Sequence, residues 1–172
     1  MTFWRVLAYV AVFHFVRQQI GWVAIYRARA NERSRFDRML DDAVIYAATG
    51  FPLLYWHAHL PRSFSWFMQG DFAAAPFLAP LIVPFGALYA ALALAYFARS
   101  IALGLRGPVN LGKHLVVVTT AATWLFGIVV TNSDFQFTVT NVIVHGVPYF
   151  ALLWAYSRER AREVSSTLSS QI

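Results

Sequence analysis

The sequence contains no cysteine. Disulfides, thiolate metal centres and thiol nucleophiles are therefore excluded. Charge is scarce too: Asp, Glu, Lys and Arg together make up 13% of the residues, about half the usual share of a soluble domain. Acidic residues are the rarer kind, 8 against 14 basic ones. None falls at mid-depth in an apolar run, so a carboxylate-bridged di-iron centre is not expected. Neither a His-x-x-His nor a His-x-x-x-His pair is present, so the histidine boxes of membrane desaturases are missing as well. No internal repeat marks a second domain.

What is abundant is apolar surface, at 59% of the residues. Long uncharged runs of about twenty residues are what a helix needs to cross a hydrocarbon core of about 30 Å. The expected fold class is an all-α membrane bundle, one unit over residues 1–160. Its five spans are predicted at 3–26, 40–60, 77–98, 114–131 and 137–156, with a charged and polar tail over 161–172. The connector 63–75 is rich in aromatics and is predicted to lie against lipid headgroups. A net charge of +6 does not indicate nucleic acid, because the basic residues flank the apolar runs.

Those basic residues set the expected topology. Arg27, Arg29, Arg33, Arg35 and Arg38 follow the first span; Arg99, Arg106 and Lys113 follow the third; Arg158, Arg160 and Arg162 follow the fifth. Eleven of the fourteen basic residues thus fall on one side of a five-span bundle, which the positive-inside rule makes cytoplasmic. The N-terminus is then outside and the C-terminus inside, in a bacterial cytoplasmic (inner) membrane. Trp4, Trp56 and Trp66 mark one interface and Trp22 and Trp154 the other. A chain that begins outside with almost no leader predicts a second membrane subunit, a homo-oligomer, or a longer parent chain.

Polar residues inside the spans are the candidate site, since side chains at that depth are costly without a partner. In the last span Thr138, Asn141 and His145 recur at i, i+3 and i+7, one face of a helix. Gly146 and Pro148 follow, and Pro148 has no N–H for the carbonyl of Val144, which predicts a kink. In the first span His14, Arg17 and Gln18 share a face. By helical rise His14 lies about 16 Å and His145 about 12 Å from the same end of the bundle, so the two imidazoles are expected to meet. His57, about 5 Å from that end, joins them only if the site tilts outward; His59 and His114 are assigned to the interfaces. Imidazoles from different helices suit iron, copper, zinc or haem. Asn141 or Gln18 would orient a ligand ring, with Thr138 beside them. The competing reading is that both histidines are packing polar groups. Arg17 is expected to reach Asp41 or Asp42, or else to hold an anionic headgroup or a carboxylate substrate. Thr119, Thr120 and Thr123 are expected to bond between helices.

Two short motifs, F-H-F-V-R-Q-Q at residues 13–19 and V-H-G-V-P-Y at residues 144–149, resemble histidine motifs of the Brp/Blh family of membrane proteins that cleave β-carotene with histidine-bound iron. The resemblance implies His14 and His145 as iron ligands. It departs from the family at Tyr149, where the motif continues to an acidic residue. The leading expectation is a metal-dependent enzyme on a lipid-soluble substrate, with Phe13, Phe15 and Tyr149 lining an apolar pocket. The alternatives are a non-enzymatic subunit of a membrane complex, its histidines holding haem or a chlorophyll-type pigment or only packing, and a transporter.

Overall fold

The computed structural model describes residues 1–169, with side chains described through residue 162. Helices α1 (Thr2–Arg29) and α2 (Arg35–Ala58) are followed by a long connector. A 3-10 turn (Pro76–Leu81) runs directly into α3 (Ile82–Gly104). Helix α4 (Leu111–Trp124) continues as a π-helical segment, Leu125–Val130. The last rod comprises α5 (Asp134–Phe137), a second π segment (Thr138–Ile143) and α6 (Val144–Ser169). Among the described residues there is no strand, as an all-α class requires. Three stretches are long and apolar enough to cross a membrane: Pro76–Gly104, Leu111–Val130 and Asp134–Arg162.

Local chemistry explains the helix limits. Asn31 adopts a left-handed φ of 55° just past α1, a conformation that asparagine tolerates at a helix end. Ser34 caps α2 by accepting the Asp37 amide at 3.2 Å, and Asn110 caps α4 by accepting the Lys113 amide at 3.3 Å. The expected 3–26, 40–60 and 114–131 limits shift accordingly, and the expected 77–98 span is a 3-10 turn followed by α3 as far as Gly104. The tail expected over 161–172 is helical as far as Ser169, and residues 170–172 lie outside the described ones. Helix α6 runs through Pro148 unbroken; the irregular backbone lies one turn earlier, in the π segment.

Helix α2 is central, packing against α1, α3 and α4, while α1 also lies along α4. At one end of the bundle the connector 61–75 folds inward, where a headgroup-facing segment was expected. Phe64 and Phe72 are buried against Trp56, at ring separations of 4.9 and 4.5 Å, and Phe64 stacks on Phe137 at 4.6 Å. Asp71 folds the loop on itself by accepting the Phe67 and Met68 amides. Arg62 ties it to the α4–α5 turn by donating to the carbonyls of Ile128 and Thr131, and Asn132 accepts the Ser63 amide at 2.8 Å. The aromatics can cover the bundle because the amides of Ser63, Phe67, Met68, Asp71, Ala73 and Ala75 all find acceptors within the protein.

The other end is held by charge. Lys113, counted from sequence as a loop cation, is 4% exposed and lies 2.7 Å from Glu32 and 3.4 Å from Asp41. Asp41, 2% exposed, also faces Arg27 at 3.5 Å. Asn110 joins the network by donating to Glu32 at 2.7 Å and to the Tyr26 carbonyl at 3.1 Å. Arg99 of α3 reaches Asp37 in the first turn of α2 with two hydrogen bonds, at 2.8 and 3.3 Å. Burial alone would raise the Glu32 pKa. Hydrogen bonds from Lys113 and Asn110 and the charges of Lys113 and Arg27 outweigh it, so the carboxyl is held below its usual 4.5.

Candidate functional site

His14 of α1 and His145 of α6 come together. Their ring centroids are 5.7 Å apart and the ring planes nearly perpendicular, at 79°. The ring of Phe15 stacks flat on His145 at 3.3 Å and fixes its plane. Tyr149, one turn along α6, approaches His14 at 6.5 Å. His145 Nδ1 is buried without a hydrogen-bond partner, and so is Gln18 Oε1. Unpaired buried polar atoms are rare in folded proteins and call for an explanation.

His14, Gln18 and Tyr149 border an open cleft between α1, α4 and α6. On one side of Gln18 and Trp22 is a cavity of about 310 Å³, lined by Gln19, Tyr26, Thr119, Thr120, Thr123 and Pro148 among others. On the other side is a groove of about 300 Å³, lined by His14, Arg17, Ile25, Tyr149 and Leu152. The cleft exists because α6 diverges from the bundle: from Tyr149 to Arg162 every residue is exposed. Thr120 donates across to Gln19 at 3.2 Å, the interhelical bond expected of it. Thr119 and Thr123 instead bond back to carbonyls on their own helix, Leu115 at 2.7 Å and Thr119 at 2.8 Å. Gln19, Trp22 and Tyr26 are lining residues that the sequence reading missed. The adjacent pair Gln18-Gln19 in an apolar helix was the available signal.

Other expected members lie elsewhere. Asn141, 2% exposed, faces Gly127 of the π segment that continues α4 and hydrogen-bonds within its own rod, donating to Thr140 Oγ1 at 2.9 Å and to the Phe137 carbonyl at 3.4 Å. It does not orient His145. The i, i+3, i+7 register assumed α-helical geometry, and the π segment Thr138–Ile143 breaks it. No hydrogen bond joins Thr138 to either histidine among the described residues. His57 belongs to the aromatic end: its Nε2 meets Tyr9 Oη at 2.9 Å and its Nδ1 the Leu53 carbonyl at 2.7 Å. His114 bonds Tyr96 Oη at 2.6 Å, and His59 stacks on Tyr55.

Arg17 does not pair with Asp41 or Asp42. It donates to Tyr46 Oη at 3.2 Å, while Asp41 takes Arg27 and Lys113. Helical rise explains the difference, since Arg27 lies ten residues, or about 15 Å, nearer the charged end than Arg17.

A shared metal ion is geometrically feasible for the histidine pair. Two imidazoles on one ion, with bonds of about 2.0–2.1 Å, have ring centres about 4.5–6.5 Å apart. The orphaned Nδ1 of His145 is a free donor atom for such an ion. No group of three or more His, Cys, Asp or Glu side chains forms a metal cluster among the described residues, so remaining ligands would have to be the Tyr149 phenol, water or substrate. No protein-family model matches the chain, and no curated protein or solved structure is significantly similar to it.

Proposed function

We propose that the chain is a five-span integral membrane protein of a bacterial inner membrane, with its N-terminus outside. In this reading the His14–His145 pair serves a lipid-soluble substrate that enters the α1–α6 cleft from the bilayer. The pair would hold a metal ion, iron by the Brp/Blh resemblance, making the protein a metal-dependent membrane enzyme. The observation that carries this reading is the 5.7 Å approach of two imidazoles from different helices, one with a buried unpaired nitrogen, beside an open cleft. A bound ion would supply Lewis-acid or redox chemistry. The chain's own residues hold the geometry: Phe15 fixes the His145 plane, Tyr149 offers a phenolic oxygen beside His14, and Gln18 presents an unpaired carbonyl to a substrate hydroxyl.

The test is elemental analysis of the purified full-length protein together with its absorption spectrum. About one ion per chain is expected, bound by neutral imidazole. It should be lost in both His14→Ala and His145→Ala and kept in His59→Ala. Metal-free wild-type protein, or metal retained in both variants, defeats the metal reading. A Soret band with co-purifying subunits would instead support a haem- or pigment-holding partner in a complex. That second reading draws on the bare flank of α6, where Phe150, Leu153, Trp154 and Tyr156 are exposed.

The orientation has its own test, made clean by the absence of native cysteine. Arg33→Cys and Arg106→Cys should resist an impermeant thiol reagent in intact cells, while Gln69→Cys should react. The reverse pattern would invert the topology.

A further inference from the structure

Arg17 stands at the middle of the bundle. Two residues on, Gln19 accepts from Thr120, which lies halfway along the 20-residue apolar stretch Leu111–Val130. By helical rise that level is about 14–15 Å from either end of the stretch. A guanidinium at this depth is costly unless something answers its charge. Its hydrogen bond goes from Nη1 to the neutral hydroxyl of Tyr46, and no protein hydrogen bond reaches Nε or Nη2 among the described residues. The buried carboxylates are already engaged, Asp37 by Arg99, Asp41 by Lys113 and Arg27, and Asp71 by the Phe67 and Met68 amides, while the half-buried Glu32 takes Lys113. Arg17 is itself exposed, on the groove of about 300 Å³ between α1 and α6.

That groove has one charged group and a mainly apolar wall, with Ile25 and Leu152 about two turns from the guanidinium toward the charged end. We infer that it binds a lipid-soluble carboxylate, a fatty-acid-like amphiphile whose headgroup pairs with Arg17 and whose chain lies along Gly21, Ile25 and Leu152. The open edge of the guanidinium fork matches a carboxylate with two parallel hydrogen bonds. His14 and Tyr149 line the same groove and add polar groups beside the headgroup. A membrane phospholipid does not fit the placement, because its phosphate stays at the interface, beyond the reach of a side chain at mid-depth. The inference rests on the cleft of the proposed function and names the polar end of its substrate, but it does not require a metal.

The experiment is equilibrium binding of radiolabelled oleate and oleyl alcohol to the full chain in non-ionic detergent, after chelation. Saturable oleate binding is expected, with the alcohol at least about tenfold weaker, the usual weight of a charge-assisted hydrogen bond. Arg17→Gln should cost oleate about tenfold or more and leave the alcohol unchanged, while Arg17→Lys should keep part of the preference. Leu152→Trp, which fills the groove without touching the charge, should weaken both probes. Equal affinity for acid and alcohol, unchanged oleate binding in Arg17→Gln, or no saturable oleate binding overturns the inference. Competition by phosphatidylglycerol in nanodiscs overturns it in favour of a headgroup site. In protein purified without chelation, His145→Ala separates the two readings: loss of metal with oleate binding intact supports both, whereas oleate binding by wild-type protein that carries no metal leaves only the carboxylate site standing.

Discussion

Lys113→Met is expected to destabilise the folded protein by about 3–5 kcal/mol, the usual cost of removing one member of a buried ion pair. Lys113 is the cation that answers both Glu32 at 2.7 Å and Asp41 at 3.4 Å. Without it Asp41, 2% exposed, keeps only Arg27 at 3.5 Å. That contact is an ion pair without a hydrogen bond, since Arg27 Nε and Asp41 Oδ2 both lack a hydrogen-bond partner. Adding Asp41→Asn to Lys113→Met restores charge balance, leaving Arg27 opposite Glu32. The double variant should therefore be more stable than Lys113→Met alone. Thermal unfolding in one detergent measures the cycle, and strictly additive losses would show that the groups are uncoupled.

The same network carries a pH signature. The Glu32 carboxyl is held below its ordinary 4.5, so its contribution to stability is complete above that value. It is lost as pH falls through the lower folded value. Wild-type protein should lose stability over that acid range, and Lys113→Met should have less to lose there.

Gly127→Ala is expected to be the second large effect, about 1–3 kcal/mol or more of destabilisation from overpacking. A Cβ at Gly127 would overlap Thr140 Oγ1 and Asn141 Nδ2. Neither can swing aside cheaply: Thr140 donates to the Gln136 carbonyl at 2.8 Å, and Asn141 is buried and bonded to Thr140. Gly146, in the rod that carries Thr140 and Asn141, has nothing within 4 Å of a built Cβ. Gly146→Ala should therefore be neutral or stabilising, by up to about 1 kcal/mol from helix propensity. Equal melting temperatures for the two alanine variants would show that the α4–α5 junction is not tightly packed.

The helices and the meeting of His14 with His145 were legible in the sequence because both follow from counting: uncharged runs set the elements, and 1.5 Å of rise per residue sets depth. The partner of Arg17 was not legible, because pairing between helices depends on which levels face each other. Arg27, Lys113 and Asp41 meet only once α1, α2 and α4 are in register. The connector's Phe64, Trp66 and Phe72 looked interfacial because an aromatic ring suits a headgroup layer and a protein core equally well. What decides between them is Arg62, whose carbonyl partners lie more than sixty residues away. Asn141 was assigned to the histidine site because a π turn leaves no sequence mark that an α-helical count would detect.

That π turn also has a bearing on how such a chain can vary. A π segment amounts to one residue more than the α-helix around it needs, accommodated by a local widening. Losing a single residue between Thr138 and Ile143 would let the rod close into a plain α-helix with the segments on either side kept nearly in phase. His145 would keep the ring of Phe15, while Thr140 and Asn141, inside the widened turn, would lose their place against Gly127. A one-residue loss between His145 and Tyr149, in regular helix, would instead turn Tyr149 by about 100° away from His14.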